Sequence, residues 1–160
     1  MKLLLVHGRL RERGGLRAAV EALTEELRKD GVETEAFSPL KTEDLLCSGC
    51  GACRGAGMCK ADPRGGEFLR AAAGCDGFLI AAPVGLFGLG VDLRNLLMRA
   101  AELTARSKND PFAGKPAALI VNRLSRKAAK ELRELIEALG LDLCELTALL
   151  PALDEKEKKK

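Results

Sequence analysis

The chain has 160 residues, 47% of them hydrophobic, with 26 Lys and Arg against 23 Asp and Glu and a formal net charge of +3. This length and apolar content fit one domain with a full core, and so small a charge gives no reason to expect a nucleic-acid partner. No stretch is apolar enough to cross a membrane, and Met1 to Val6 is too short for a signal peptide. The expectation is therefore a cytoplasmic protein whose six cysteines sit in a reducing compartment.

Lys2 to Val6 is an apolar run that ends in His7-Gly8 and reads as a buried strand followed by a turn. Leu16, Val20, Leu23 and Leu27 recur at helical spacing, and Asp30-Gly31 stops that helix. Val32 to Phe37 alternates like a strand. The stretch at about 38–64 has no periodicity, and a connection of that length in a compact domain is usually functional. A short helix follows from Gly66 to about Ala73. Gly77 to Val84 is the most apolar strand and belongs at the centre of a sheet. Helices over Val91 to about Arg106 and Ser125 to Leu139 flank a strand at Ala117 to Val121, and Leu141 to Leu146 is a weaker last strand. Residues 1–153 are expected to form the domain, and 154–160, all charged, a disordered tail.

Alternating apolar strands and helices predict an α/β fold: a doubly wound sheet of five parallel strands, order 2-1-3-4-5, with helices on both faces. In that topology ligands bind at the carboxyl edge, where the loops after strands one and three share a crevice. The cysteine-bearing loop follows strand two and leaves from the same edge.

That loop carries Cys47, Cys50, Cys53 and Cys59, written Cys47-Ser48-Gly49-Cys50-Gly51-Ala52-Cys53 with five residues before Cys59. Three cysteines at this spacing let a Gly-rich loop wrap three corners of a cubane iron–sulfur cluster, and a fourth closes it. Zinc is the first alternative, although it more often takes two well-separated C-x-x-C pairs. Disulfides are the second, although short loops gain little from closure. Cys75 and Cys144 stand alone in apolar or helical surroundings and are expected to be buried small hydrophobes. His7, the only histidine, is expected to be a hydrogen-bonded strand-end side chain, with ligand contact or proton donation the other use.

With its cysteine run placed after strand two, the chain resembles the iron–sulfur flavoproteins within the broader NAD(P)H-dependent FMN reductase group. The resemblance implies a flavodoxin-like fold, FMN, one [4Fe–4S] cluster held by all four of Cys47, Cys50, Cys53 and Cys59, and a homo-oligomer. The family's first loop reads roughly Gly-Ser-Pro-Arg-x-x-Gly-Asn-Thr. Here Gly8-Arg9-Leu10-Arg11-Glu12-Arg13-Gly14-Gly15-Leu16 keeps Gly8, Arg11 and Gly14, while Arg9 and Leu16 stand where the family has hydroxyls. Backbone N–H groups opening the helix, close approach at Gly14 and Gly15, and the charge of Arg9, Arg11, Arg13 and Arg17 could still hold a phosphate. A solvated basic face is the competing reading. The second family loop, roughly Ser-Pro-Val-Tyr-Phe-Gly-Ser-Val-Ser, matches Ala82-Pro83-Val84-Gly85-Leu86-Phe87-Gly88 at Pro83 and Val84. The backbone of Gly85 to Gly88, Leu86 included, would meet the ring edge. Phe87 would either cover a flavin face or pack in the core. In place of a Gly-rich third loop, Val121-Asn122-Arg123-Leu124-Ser125 runs straight into a helix.

The function implied is a redox flavoprotein that passes electrons through FMN and the cluster, with NAD(P)H or ferredoxin as redox partner. No Ser-His-Asp or paired-carboxylate pattern suggests a hydrolase, and no residue is assigned as catalytic. The alternative is a non-catalytic iron–sulfur or zinc module on a flavodoxin-like scaffold that has lost its flavin.

Overall fold

The computed structural model describes residues 1–39, 50–51, 63–85, 88–105, 109–123 and 126–150. Its central strands are β1 (Lys2–His7) and β3 (Gly77–Ala82), the two runs richest in apolar residues. Every residue of β3 is buried, as a strand covered on both faces requires. With β2 (Glu33–Phe37), β6 (Pro116–Arg123) and β7 (Asp142–Leu150), they form a five-stranded parallel sheet in the order β2-β1-β3-β6-β7. Counting sheet strands alone, this is the expected 2-1-3-4-5. Leu4 lies beside Phe78 across β1 and β3, and Ile80 beside Leu119 across β3 and β6.

The pleat sends alternate side chains to opposite faces. Leu5, Leu79, Ala81 and Ile120 meet Leu16 and Val20 of α1 (Gly15–Lys29). The larger core lies on the other face. There Leu4, Val6, Phe78, Ile80 and Leu119 pack with Phe68 of α2 (Pro63–Ala73), Leu93, Leu96 and Leu97 of α3 (Val91–Thr104), and Leu132 and Ile136 of α4 (Arg126–Ala138). Within it Phe37, Phe68, Phe112 and Phe78 form a row with successive ring centroids 5.1, 5.5 and 5.5 Å apart, the spacing of tilted aromatic pairs. Four of the five phenylalanines are thereby structural, and the fifth, Phe87, lies outside the described residues.

Two features depart from expectation. The strand expected to run from Gly77 to Val84 ends at Ala82, because Pro83 has no N–H to continue the ladder. The chain then folds into a small antiparallel hairpin, β4 (Val84–Gly85) and β5 (Gly88–Leu89), with Leu89 buried. Cys144, expected to be buried, is exposed. The β6–β7 register passes from Ala117–Leu143 to Ala118–Glu145, so Cys144 is the extra residue of a bulge and turns outward. Cys75 is buried as expected. The tail at 154–160 and Cys47, Cys53 and Cys59 lie outside the described residues. Among the described residues, no helix is long and apolar enough to cross a membrane.

Candidate functional site

The chain leaves β1 toward β2 on one side, and enters β3 on the other, so the loops after β1 and β3 part at the carboxyl edge. Between them lies a cavity of about 860 Å³. It is lined by Gly8, Arg9, Arg11, Gly14 and Gly15 from the first loop and by Pro83, Val84 and Gly85 from the second. Eight residues singled out from the sequence thus come together, while Leu86 and Phe87 lie outside the described residues. The two loops are pressed close at the floor: a Cβ on Gly8 would sit 3.1 Å from Pro83 Cδ and Cγ.

Two helices open into this cavity, and their first turns differ. Asp92 stands in the first turn of α3, where a carboxylate offsets the positive end of the helix dipole. In α1 the first turn holds no acid, and the N-cap residue, Gly14, is extended and gives no side-chain cap. The first N–H groups of α1 have no carbonyl of their own helix to bind. They remain an anion-binding surface, with Arg11 and Arg17 beside them. Arg9 reaches the other way, its Nε 3.7 Å from Asp92. Arg17 is shared with Glu21, at 2.8 Å. An anion entering this cavity would meet N–H groups and arginines at the start of α1, and a carboxylate at the start of α3.

The far wall comes from the stretch that stands in place of a Gly-rich third loop, and from Leu149, none of which was assigned a site role from the sequence. Asn122, Arg123 and Leu149, at the ends of β6 and β7, line the cavity. The Asn122 amide holds both backbone groups of Val84: Oδ1 accepts from Val84 N–H at 2.7 Å, and Nδ2 donates to Val84 C=O at 3.1 Å. Glu131 of α4 accepts from Leu89 N–H at 3.3 Å and pairs with Arg94. A polar residue directly after the apolar run Ala117 to Val121, as Asn122 is, was the available signal.

His7 faces away from this cavity. It lines a smaller one of about 500 Å³, on the α1 side, with Thr24, Arg28 and Ser38. Its Nδ1 lies 2.9 Å from Gly8 O, so Nδ1 carries the proton and the side chain is hydrogen-bonded at the strand end. The charges around this second cavity satisfy one another, Arg17 with Glu21 and Arg28 with Glu25. An anion finds less there than at α1.

The segment bearing the cysteines is tied at its neck. Arg64, opening α2, donates through Nη2 to Ser38 O at 2.5 Å, pairs with Glu67, and lies 4.5 Å from the centroid of the Phe37 ring. The two ends of the connection thus meet beside the carboxyl end of β2. Cys50 is exposed. Among the described residues no three His, Cys, Asp or Glu side chains converge as a metal site. Burial pushes the Cys75 thiol up, with Lys115 pulling against it, so Cys75 is a protonated core residue.

The chain is similar to an iron-sulfur flavoprotein of Methanocaldococcus jannaschii, 28% identical over 103 residues that cover 64% of this chain and 53% of that protein. It is equally similar to an iron-sulfur flavoprotein of Methanosarcina thermophila, 28% identical over 131 residues, 82% of this chain and 68% of that one. The match thus spans between about half and two thirds of these relatives. Among solved structures, FerB, an NAD(P)H:acceptor oxidoreductase flavoenzyme from Paracoccus denitrificans, superposes with a TM-score of 0.61 at 15% identity over 99% of this chain and 89% of that one, a likeness of fold. A model of the NADPH-dependent FMN reductase family matches residues 1–141, and the chain belongs to that family.

Proposed function

We propose that this chain is a flavin oxidoreductase that binds FMN in the crevice between the β1 and β3 loops. The observation that carries this reading is the start of α1, an uncapped, acid-free helix end facing a cavity of about 860 Å³ at the sheet's switch point. The residues fit the cofactor. The N–H groups of the first turn, Gly14 and Arg11 would hold the phosphate dianion. Pro83, Val84 and Gly85 would line the ring. Arg9, held by Asp92, would close the mouth. When bound, FMN supplies hydride acceptance and one-electron transfer; the protein supplies position, exclusion of water and charge.

Cys47, Cys50, Cys53 and Cys59 are proposed to hold a [4Fe–4S] cluster. The donor set, four thiols in a Gly-rich stretch, suits iron–sulfur ligation, and the relatives are named iron-sulfur flavoproteins. The Arg64–Ser38 tie supports the same reading, because it holds together the two ends of the segment. NAD(P)H is the proposed electron donor, following the family description, with ferredoxin as a further redox partner. A homo-oligomer belongs to the same proposal.

The loss of two loop hydroxyls, at Arg9 and Leu16, favours the second reading, a metal-binding module without flavin. The absorbance spectrum of anaerobically purified protein, before and after NADH or NADPH, separates the two. Flavin bands that bleach with nicotinamide support the oxidoreductase. A cluster band with no flavin supports the module.

A further inference from the structure

The β3–β6 ladder ends at the pair Ala82–Val121, because Pro83 brings no N–H. One residue on, Val84 presents an N–H and a C=O beyond the last pair of the β3–β6 ladder. Asn122, the residue after Val121, supplies both partners from its side chain, at 2.7 and 3.1 Å. The amide acts as a one-residue extension of β6, and it sets where the hairpin stem lies. Val84 in turn pairs with Leu89, which Glu131 holds from the other side.

We infer that Asn122 is a positioning residue for the flavin-ring wall of the crevice. Its amide is engaged with the backbone of Val84, and through that pair of bonds it sets where Val84 and Gly85 lie. This rests on the FMN reading above and adds a division of labour: Asn122 governs the ring, and the start of α1 governs the phosphate.

The test is titration of Asn122→Leu and Asn122→Asp with FMN and with riboflavin, followed by flavin fluorescence. Asn122→Leu should weaken both ligands by a common factor of about tenfold, since two hydrogen bonds to the wall are lost. Their affinity ratio should stay at the wild-type value. Asn122→Asp, which can accept from Val84 N–H but cannot donate to Val84 C=O, should fall between and covers the case in which the Leu variant does not fold. The bound-flavin absorbance band should shift in both variants. Wild-type affinity and an unshifted band in a folded variant would overturn the inference and leave the FMN reading standing. A change confined to FMN, with riboflavin unaffected, would overturn it too. Failure of the wild-type protein to bind either ligand would sink the FMN reading and the inference together.

Discussion

Gly8 and Pro83 pack so closely that a side chain at Gly8 would press on the proline ring. A Cβ on Gly8 would lie 3.1 Å from Pro83 Cδ and Cγ and 3.3 Å from Leu93 Cβ. Neither neighbour is a flexible chain end: one is a proline ring and the other a buried position on α3. Gly8→Ala should therefore cost about 1–3 kcal/mol by overpacking. Gly15→Ala, where nothing lies within 4 Å of the new methyl, should be neutral or slightly stabilising in the first turn of α1. Denaturant unfolding of the two variants checks the contrast. Equal stabilities would show that the loops are not packed as described.

Arg11 should govern phosphate preference. Wild-type protein is expected to bind FMN better than riboflavin, because only FMN carries a dianion to the start of α1. Arg11→Ala should narrow that preference, and added salt should narrow it in the wild-type protein. Calorimetric titration with both ligands measures it. Equal wild-type affinities would mean that the helix start is not a phosphate site.

The Cys75 thiol gives a pH dependence with a definite sign. Burial raises its folded pKa above the unfolded value, so the folded chain keeps a proton that the unfolded chain sheds. The corresponding stability is fully present below about pH 8.5, the ordinary thiol value, and is lost as pH rises through the folded pKa. Unfolding midpoints at about pH 7.5 and about pH 9.5 should fall for the wild-type protein. The fall should be smaller for Cys75→Ala, whose own cavity cost is the same at both pH values. Parallel falls in the two proteins would exclude this contribution.

Cys50 and Cys144 are both exposed, yet only one stands in the four-cysteine run. Anaerobic protein should contain about four irons per chain if the cluster is cubane. Cys50→Ala should lose the visible chromophore, and Cys144→Ala, which changes only the outward residue of a bulge, should keep it. Iron analysis with the absorbance spectrum decides. Stoichiometric zinc without iron would end the cluster proposal.

Much of the architecture could be read from the chain because parallel strands buried on both faces must be apolar throughout. Leu3 to Val6 and Phe78 to Ala82 have no other plausible place than the centre of a sheet. The order of elements then located the crevice, and the likeness of its two loops to the family pattern singled out eight of the residues that line it. What escaped was set by pairing across the chain. The hairpin at Val84 to Leu89 is Gly-rich and too short to alternate, and it exists because Asn122 and Glu131 grip it from β6 and α4. Cys144 was misjudged because a bulge is a property of two strands and leaves no mark in one. β7 runs on to Leu150, beyond the expected Leu146, because β6 offers it backbone partners as far as Arg123. Asp92 carries no mark in the sequence that sets it apart, and the fold brings it to the cavity.

The central claim is the location of FMN, and the crystal structure of the protein grown with saturating FMN tests it most directly. The phosphate is predicted within hydrogen-bond reach of the N–H groups that open α1, with the ring against Pro83 to Gly85 and facing Asn122 and Arg123. FMN bound elsewhere, for instance in the cavity beside His7, or an empty crevice at saturation, would contradict it.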